Sequence, residues 1–319
     1  MVKNIKFVMT LQVYNYINDP THKKPIYQST RRALKGYVDS GVIELVENDF
    51  QGSDSCIFVV ETDDHCRILA SKNKNNFARF NFRDKYSTLS NPRVVECKSF
   101  CRRSLVGKHE IPLPLIPDEK NFNFNPPQPE TQSSANSNKY FITFKGKMMQ
   151  FDKSGGLRLD LLPLHNNVDI IICPLRHFGE VYDTYCEAAF VRSDFFQYDD
   201  LMNTDFGFVP GGRQPATYRL IECLRLGVIP VIYEYTDLTV LPFEDRLDWS
   251  AFSIYIPAID IGDKIDYLNK NLLKLRSLSS SRREAMKDIG RKVFDDCFSN
   301  HARVGDFLRE NYRHIFVNS

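Results

Sequence analysis

Apolar positions along this chain fall into short runs that alternate with stretches of helical period, the pattern of an α/β protein with parallel strands. Residues Ile5 to Gln12, Val42 to Val46 and Ser55 to Glu61 read as strands, and Gln28 to Asp39 reads as a helix. In the second half, Tyr140 to Phe144 and Val168 to Cys173 are strand-like. Asp263 to Leu278 and Ser281 to Phe298 carry helical spacing and are expected to pack against the second-half sheet, and His301 to Ile315 reads as a last helix. The clearest unit lies between them. Phe206 to Val209 reads as a buried strand, Pro210 to Ala216 as a turn, Thr217 to Leu226 as a helix closed by Gly227, and Val228 to Tyr233 as the next strand. That order is a βαβ unit, whose parallel strands place their carboxyl ends beside a ligand crevice.

The turn in this unit contains Gly211, Gly212 and Arg213. Glycines without a Cβ let an anion approach the amides that open the following helix, and phosphate suits such a place. Arg219 and Glu222 are three apart and share a helix face, while Leu220, Ile221 and Leu224 turn toward the sheet. One reading of Arg219 and Glu222 is a surface ion pair. The other gives Arg219 to a diphosphate and Glu222 to the hydroxyls of a ribose or sugar, which together hold a nucleotide sugar.

Several ordered blocks here resemble the exostosin family, the inverting family 47 glycosyltransferases. They are Phe208-Val-Pro, Thr217-x-Arg219-x-x-Glu222-Cys-Leu, Gly227-Val-Ile-Pro-Val231, Leu241-Pro-Phe243 and Asp248-Trp249. Lys139-Tyr-Phe-Ile-Thr-Phe-Lys-Gly-Lys147 is similar to the entry of the family's second domain, in the version of animal exostosins. The resemblance implies an α/β fold of the GT-B type, two Rossmann-like domains facing across a cleft. It divides the chain into an acceptor-side domain over residues 1–117, a Pro-, Asn- and Ser-rich linker over 118–138, and a nucleotide-sugar domain over 139–319. It further implies transfer from a UDP-sugar, glucuronic acid being the sugar it favours, to an oligosaccharide or polysaccharide acceptor without a required metal or other cofactor. Lys145, Arg158, Gly211, Gly212, Arg213, Thr217, Arg219 and Glu222 are then the donor-binding set. Arg219 and Glu222 also enter the catalytic set, and Cys173 and Cys186 are expected to be bonded.

Composition leaves this picture standing. The 319 residues are 42% apolar and 26% charged, ordinary for a globular chain of two domains, and a net charge of +2 gives no global attraction to nucleic acid or anionic membrane. Eight cysteines allow local pairs at Cys97 and Cys101 and at Cys56 and Cys66, with zinc as a rival at Cys97-x-x-x-Cys101 and buried thiols as the reading of Cys223 and Cys297. Asp63-Asp64 and Asp199-Asp200 read as exposed or capping acids rather than a metal motif. Phe77-Ala-Arg-Phe-Asn-Phe-Arg83 offers an aromatic and basic alternation suited to a polysaccharide or single strand, against the plainer reading of an exposed strand or loop. Ile111 to Pro117, with three prolines, reads as an extended edge segment. The first twenty residues read as neither signal peptide nor membrane span. Family members are usually type II membrane proteins of the Golgi or endoplasmic reticulum, so this implies a trimmed chain, a misplaced first exon or a cytosolic protein.

Departures from the family fall in both domains and put the acceptor side and the base most in question. Gly211 stands where animal exostosins have Arg, Ala258 falls near a frequently acidic position, and the first domain is short. In place of the family's Gly-Arg-Asp-His motif there is only Asp63-Asp-His65. His65, His109 and Glu110 are the candidates for the base that an inverting displacement needs. Two readings follow: an active transferase, or a catalytically silent glycan-binding or stabilising subunit, in either case able to pair with itself or another transferase.

Overall fold

The computed structural model describes residues 6–11, 14–15, 34–47, 56–59, 77–81, 93–98, 101, 106, 110–115, 140–147, 153–166, 168–175, 203–211, 217–235 and 240–316. These fall into two compact units. The first comprises Met1–Ile116, Val240–Leu247 and Asp296–Ser319; the second comprises Pro117–Thr239 and Asp248–Asp295. The segment 118–138 expected as a linker lies outside the described residues.

In the first unit, β1 (Lys6–Thr10), β2 (Ile43–Val46) and β3 (Cys56–Phe58) form a parallel sheet in the order β2-β1-β3. A second parallel sheet takes β4 (Phe77–Asn81), β5 (Val94–Lys98) and β6 (Glu110–Pro112) in sequence order. A parallel bridge from Val59 to Ala78 joins the two. β6 is an edge strand, which suits its Pro112. Residues 34–39 are helical, and Tyr37 on that helix packs against Phe80 and against His301 at 5.0 and 4.8 Å between ring centres.

Phe77 to Phe80 is neither exposed nor free to grip a polymer, which corrects both sequence readings of that stretch. Phe77, Ala78 and Phe80 are core residues, and Arg79 is buried in an ion pair with Glu96 at 3.2 Å. Beside that pair, Lys98 Nζ reaches Glu110 at 2.8 Å and Glu96 at 3.7 Å. Four buried charges thus balance one another along β4, β5 and β6.

The C-terminal helices correct the expected domain boundary. α5 (His301–Asn311) and α6 (Arg313–Phe316) belong to the first unit, not to the second. The reason is packing: Phe316 meets Phe7 edge-on at 5.2 Å, Arg309 donates to the Val42 carbonyl, and Tyr312 donates to Asp245. The Leu241-Pro-Phe243 block goes with them. Phe243 is fully buried, stacks on Phe307 at 4.5 Å and adopts a φ of 52°, a costly backbone for an aromatic residue, with its N–H bonded to the Pro112 carbonyl. The chain crosses between units within a π turn, Phe294–Phe298, that ends the preceding helix.

The second unit is built on a five-stranded parallel sheet. Its strands are β7 (Tyr140–Lys147), β8 (Ile170–Leu175), β9 (Thr204–Pro210), β10 (Ile229–Glu234) and β11 (Ile254–Pro257), in the order β11-β10-β9-β7-β8. β8 starts at Ile170 because the Asn166 side chain accepts from the N–H groups of Val168, Asp169 and Ile170, holding them in a turn. The helices are α1 (Lys153–Asp160), α2 (Tyr218–Leu226), α3 (Lys264–Arg276) and α4 (Ser280–Val293). One face buries Ile142, Phe144, Phe206, Phe208, Val231 and Tyr233 with Leu157, Leu268 and Leu272. Alternation along the strands sends Gly207 to the opposite face. A Cβ there would come within 2.7 Å of Cys223 Sγ on α2, so the glycine is what lets this helix lie so close to the sheet.

Candidate functional site

The order of the second sheet reverses between β7 and β9: from β7 the chain moves to β8 on one side and later returns to β9 on the other. In open parallel sheets the crevice outside the carboxyl ends at such a switch point is where ligands bind. The residues singled out from the sequence converge on this place.

Thr217 caps α2, accepting from the Arg219 N–H at 3.3 Å, and Gly227 closes the helix in the left-handed conformation at φ 66°. The amides of the first turn therefore face the crevice with the positive end of the helix dipole. From that turn, the Arg219 guanidinium donates through Nη2 to the carbonyl of Lys145, near the end of β7, at 2.5 Å. It also meets Glu222 at 2.9 Å. The ion-pair reading of Arg219 and Glu222 is thus realised, but the pair is sunk into the protein, with side chains 13% and 8% exposed, rather than on its surface.

Arg158 enters from the last turn of α1. Its Nε donates to the carbonyl of Gly211, the residue leaving β9, at 2.8 Å, and its guanidinium lies over the Phe144 ring. Burial pushes its pKa down, Arg219 adds to the effect, and Glu234 opposes it. Two guanidiniums near enough to repel one another favour an anion between or beside them. Lys145 stands across from Cys173 on β8, and there burial raises the thiol pKa while the Lys145 charge offsets part of the rise. Below α2, burial pushes the Cys223 thiol up to about 12, so it is an inert packing group.

Of the expected donor set, Lys145, Arg158, Gly211, Thr217, Arg219 and Glu222 come together around one end of the sheet, whereas Gly212 and Arg213 lie outside the described residues. So do His65 and His109. Glu110, the remaining candidate base, is almost wholly buried and ion-paired with Lys98, so no substrate hydroxyl reaches it. Cys97, Cys101 and Cys173 are free, buried thiols, which corrects the Cys97 to Cys101 pair and the expected bond from Cys173; Cys186, Cys66 and the acidic pairs at 63–64 and 199–200 lie outside the described residues. Strand geometry explains Cys173, whose side chain packs with Ile171 against the sheet. Among the described residues no three His, Cys, Asp or Glu side chains gather as a metal site, and no helix is long and apolar enough to cross a membrane.

Sequence reasoning missed Glu234. It ends β10 with 1% exposure, its Oε1 accepts from the Tyr235 N–H at 2.9 Å, and its effect on Arg158 places it at the same crevice. The available signal was an acid terminating an otherwise uninterrupted buried strand, Ile-Pro-Val-Ile-Tyr-Glu.

Comparison with known proteins agrees with this geometry. The exostosin GT47 domain matches residues 62–272. The Exostosin-1 homolog of Caenorhabditis elegans is 29% identical over 211 residues, 63% of this chain and 52% of that protein. Exostosin-1 of Drosophila melanogaster is 34% identical over 122 residues, 37% of this chain and 16% of that protein. The chain thus aligns with between about a sixth and a half of these relatives' lengths. A glycosyltransferase from Rickettsia africae superposes with a TM-score of 0.51 at 10% identity, over 99% of this chain and all of that one, a likeness of fold. The α/β fold is of the GT-B type. With the family domain covering about two thirds of its length and the clustered Arg219, Glu222, Lys145 and Arg158 inside it, this chain belongs to the exostosin GT47 glycosyltransferase family.

Proposed function

We propose that the second unit binds a UDP-sugar and that the protein transfers the sugar, with inversion, to a hydroxyl of a glycan acceptor. The observation that carries this is the gathering of Arg158, Arg219 and Lys145 around the amino end of α2 at the sheet's switch point. A diphosphate placed there meets helix amides and two planar guanidinium forks. Glu222, held by Arg219, offers carboxylate oxygens to the ribose hydroxyls.

In the transfer, an acceptor oxygen attacks the anomeric carbon while the bond to the diphosphate oxygen breaks, and a base takes the acceptor proton. Negative charge grows on the leaving diphosphate. Arg158, Arg219 and the α2 amides are already oriented toward it, so they supply the stabilisation that a divalent ion would otherwise give. By family likeness we place the protein in the lumen of the Golgi or endoplasmic reticulum, acting alone or paired with another transferase.

A thermal-shift titration with UDP and a set of UDP-sugars, with and without manganese, tests the reading. The native protein gains in melting temperature with UDP in the absence of metal, and Arg219→Lys, which keeps a charge but loses the fork, gains less. No shift with any uridine nucleotide overturns the donor site and leaves a catalytically silent, glycan-binding subunit as the better account.

A further inference from the structure

We infer that Glu234 is the built-in counter-ion of the diphosphate clamp: its carboxylate balances Arg158 before a nucleotide binds and weakens the grip on UDP so that UDP leaves after transfer. This role rests on the UDP-sugar reading above and deepens it. Arg219 has its acid in contact, Glu222 at 2.9 Å. Arg158 is served differently, because its Nε is committed to the Gly211 carbonyl at 2.8 Å. Tyr233 pairs with Pro210 across β10 and β9, so Glu234, one residue on, stands level with Gly211 on the adjacent strand. Neighbouring strands are only about 4.8 Å apart. The register thus carries the carboxylate to the backbone group that anchors Arg158. It is held there, 1% exposed, with Oε1 accepting from the Tyr235 N–H at 2.9 Å. Of the two neighbours that act on the Arg158 guanidinium through their charge, Arg219 disfavours the cation and Glu234 supports it.

Lys145, Arg158 and Arg219 make the crevice cationic, and Glu222 and Glu234 leave it cationic but less strongly so. A cation sunk into a protein without a counter-charge costs stability, and Glu234 offsets that cost in the nucleotide-free chain. A diphosphate that enters takes over the balancing of Arg158. It gains less than it would beside an unopposed guanidinium, because the carboxylate stays, and a buried charge is weakly screened by salt. The clamp is therefore tolerable to the fold without ligand and does not retain its product, whose release is the slow step in many enzymes.

Calorimetric titration with UDP and thermal melting of the intact chain, native and Glu234→Gln, test this. Without ligand, Glu234→Gln, nearly isosteric, should melt below native protein, yet it should bind UDP at least about threefold more tightly, the order expected for one like charge removed several ångström from the diphosphate. Glu234→Asp, which keeps the charge, should bind UDP within about twofold of native protein. Inorganic pyrophosphate, which has no nucleoside, should raise the melting temperature of Glu234→Gln more than that of native protein, and should do so even if the variant folds only with the anion present. A residue that merely supports the fold would lower stability and affinity together. UDP affinity in Glu234→Gln equal to or below native overturns the role, as does a variant that neither UDP nor pyrophosphate stabilises. Titration of native protein separates the two levels: if native protein binds UDP and Glu234→Gln binds it no more tightly, only the role of Glu234 falls; if native protein does not bind UDP, the donor site falls with it.

Discussion

Removing either partner of the Arg219 and Glu222 pair should cost far more than an ordinary helix ion pair, and the two losses should not add. Their separation is 2.9 Å and the side chains are 13% and 8% exposed, whereas exposed pairs of this kind give only about 0.2–1 kcal/mol. Breaking a fully buried pair costs about 3–5 kcal/mol, because the remaining charge is left without compensation. The residual exposure here argues for a value between these limits. We expect Arg219→Ala and Glu222→Ala each to lose about 2–4 kcal/mol, and the double variant to show a coupling of about 1.5–3 kcal/mol. The hydrogen bond from Arg219 to the Lys145 carbonyl is lost equally in both arms of the cycle, so it cancels. Urea unfolding followed by circular dichroism measures each term, with constant slopes as the check that the transition stays two-state. A coupling below about 0.5 kcal/mol would mean that water screens the pair as at a surface, and would refute the buried clamp. The magnitude also bears on function: Arg219→Ala damages the fold as well as the site, so the charge-conserving Arg219→Lys is the better probe of donor binding.

Gly207→Ala should destabilise the second unit by about 1–3 kcal/mol in urea unfolding, since the new methyl lands 2.7 Å from Cys223 Sγ; adding Cys223→Ala should recover part of the loss. In the first unit, Lys98→Met removes the cation that Glu110 meets at 2.8 Å, leaving Arg79 against Glu96, and should cost about 3–5 kcal/mol, while Lys98→Met with Glu110→Gln should cost less than Lys98→Met alone. Stability should fall as pH rises above the ordinary tyrosine value of about 10. Burial holds the pKa values of Tyr37, Tyr233 and Tyr312 above that value in the native chain, so there the folded state binds more protons than the unfolded one and alkali favours unfolding. Denaturant midpoints between pH 9 and 11 measure this, and Tyr312→Phe should flatten the decline.

Thr217, the helix after it and its closing Gly227 were legible because capping and apolar period act within a dozen residues and need no partner. For the same reason the strands beginning at Lys6, Ile43 and Tyr140 were legible, and so was the parallel character of the sheets. The sequence also named Lys145, Arg158, Arg219 and Glu222, through residue types and family resemblance. It did not carry their mutual arrangement. Arg219 reaches Lys145 across 74 positions and Arg158 reaches Gly211 across 53, distances that only the strand order β11-β10-β9-β7-β8 closes.

Tertiary packing likewise turned an aromatic and basic run at Phe77 into core and charge network, because the neighbours of a strand, not its composition, decide whether Arg79 faces water or Glu96. It moved α5 and α6 into the first unit, since helical period shows that a face is apolar but not which core covers it. Glu234 is the sharpest case. Its letter marks only the end of a strand, and its place beside Gly211 exists only once β10 lies in register with β9.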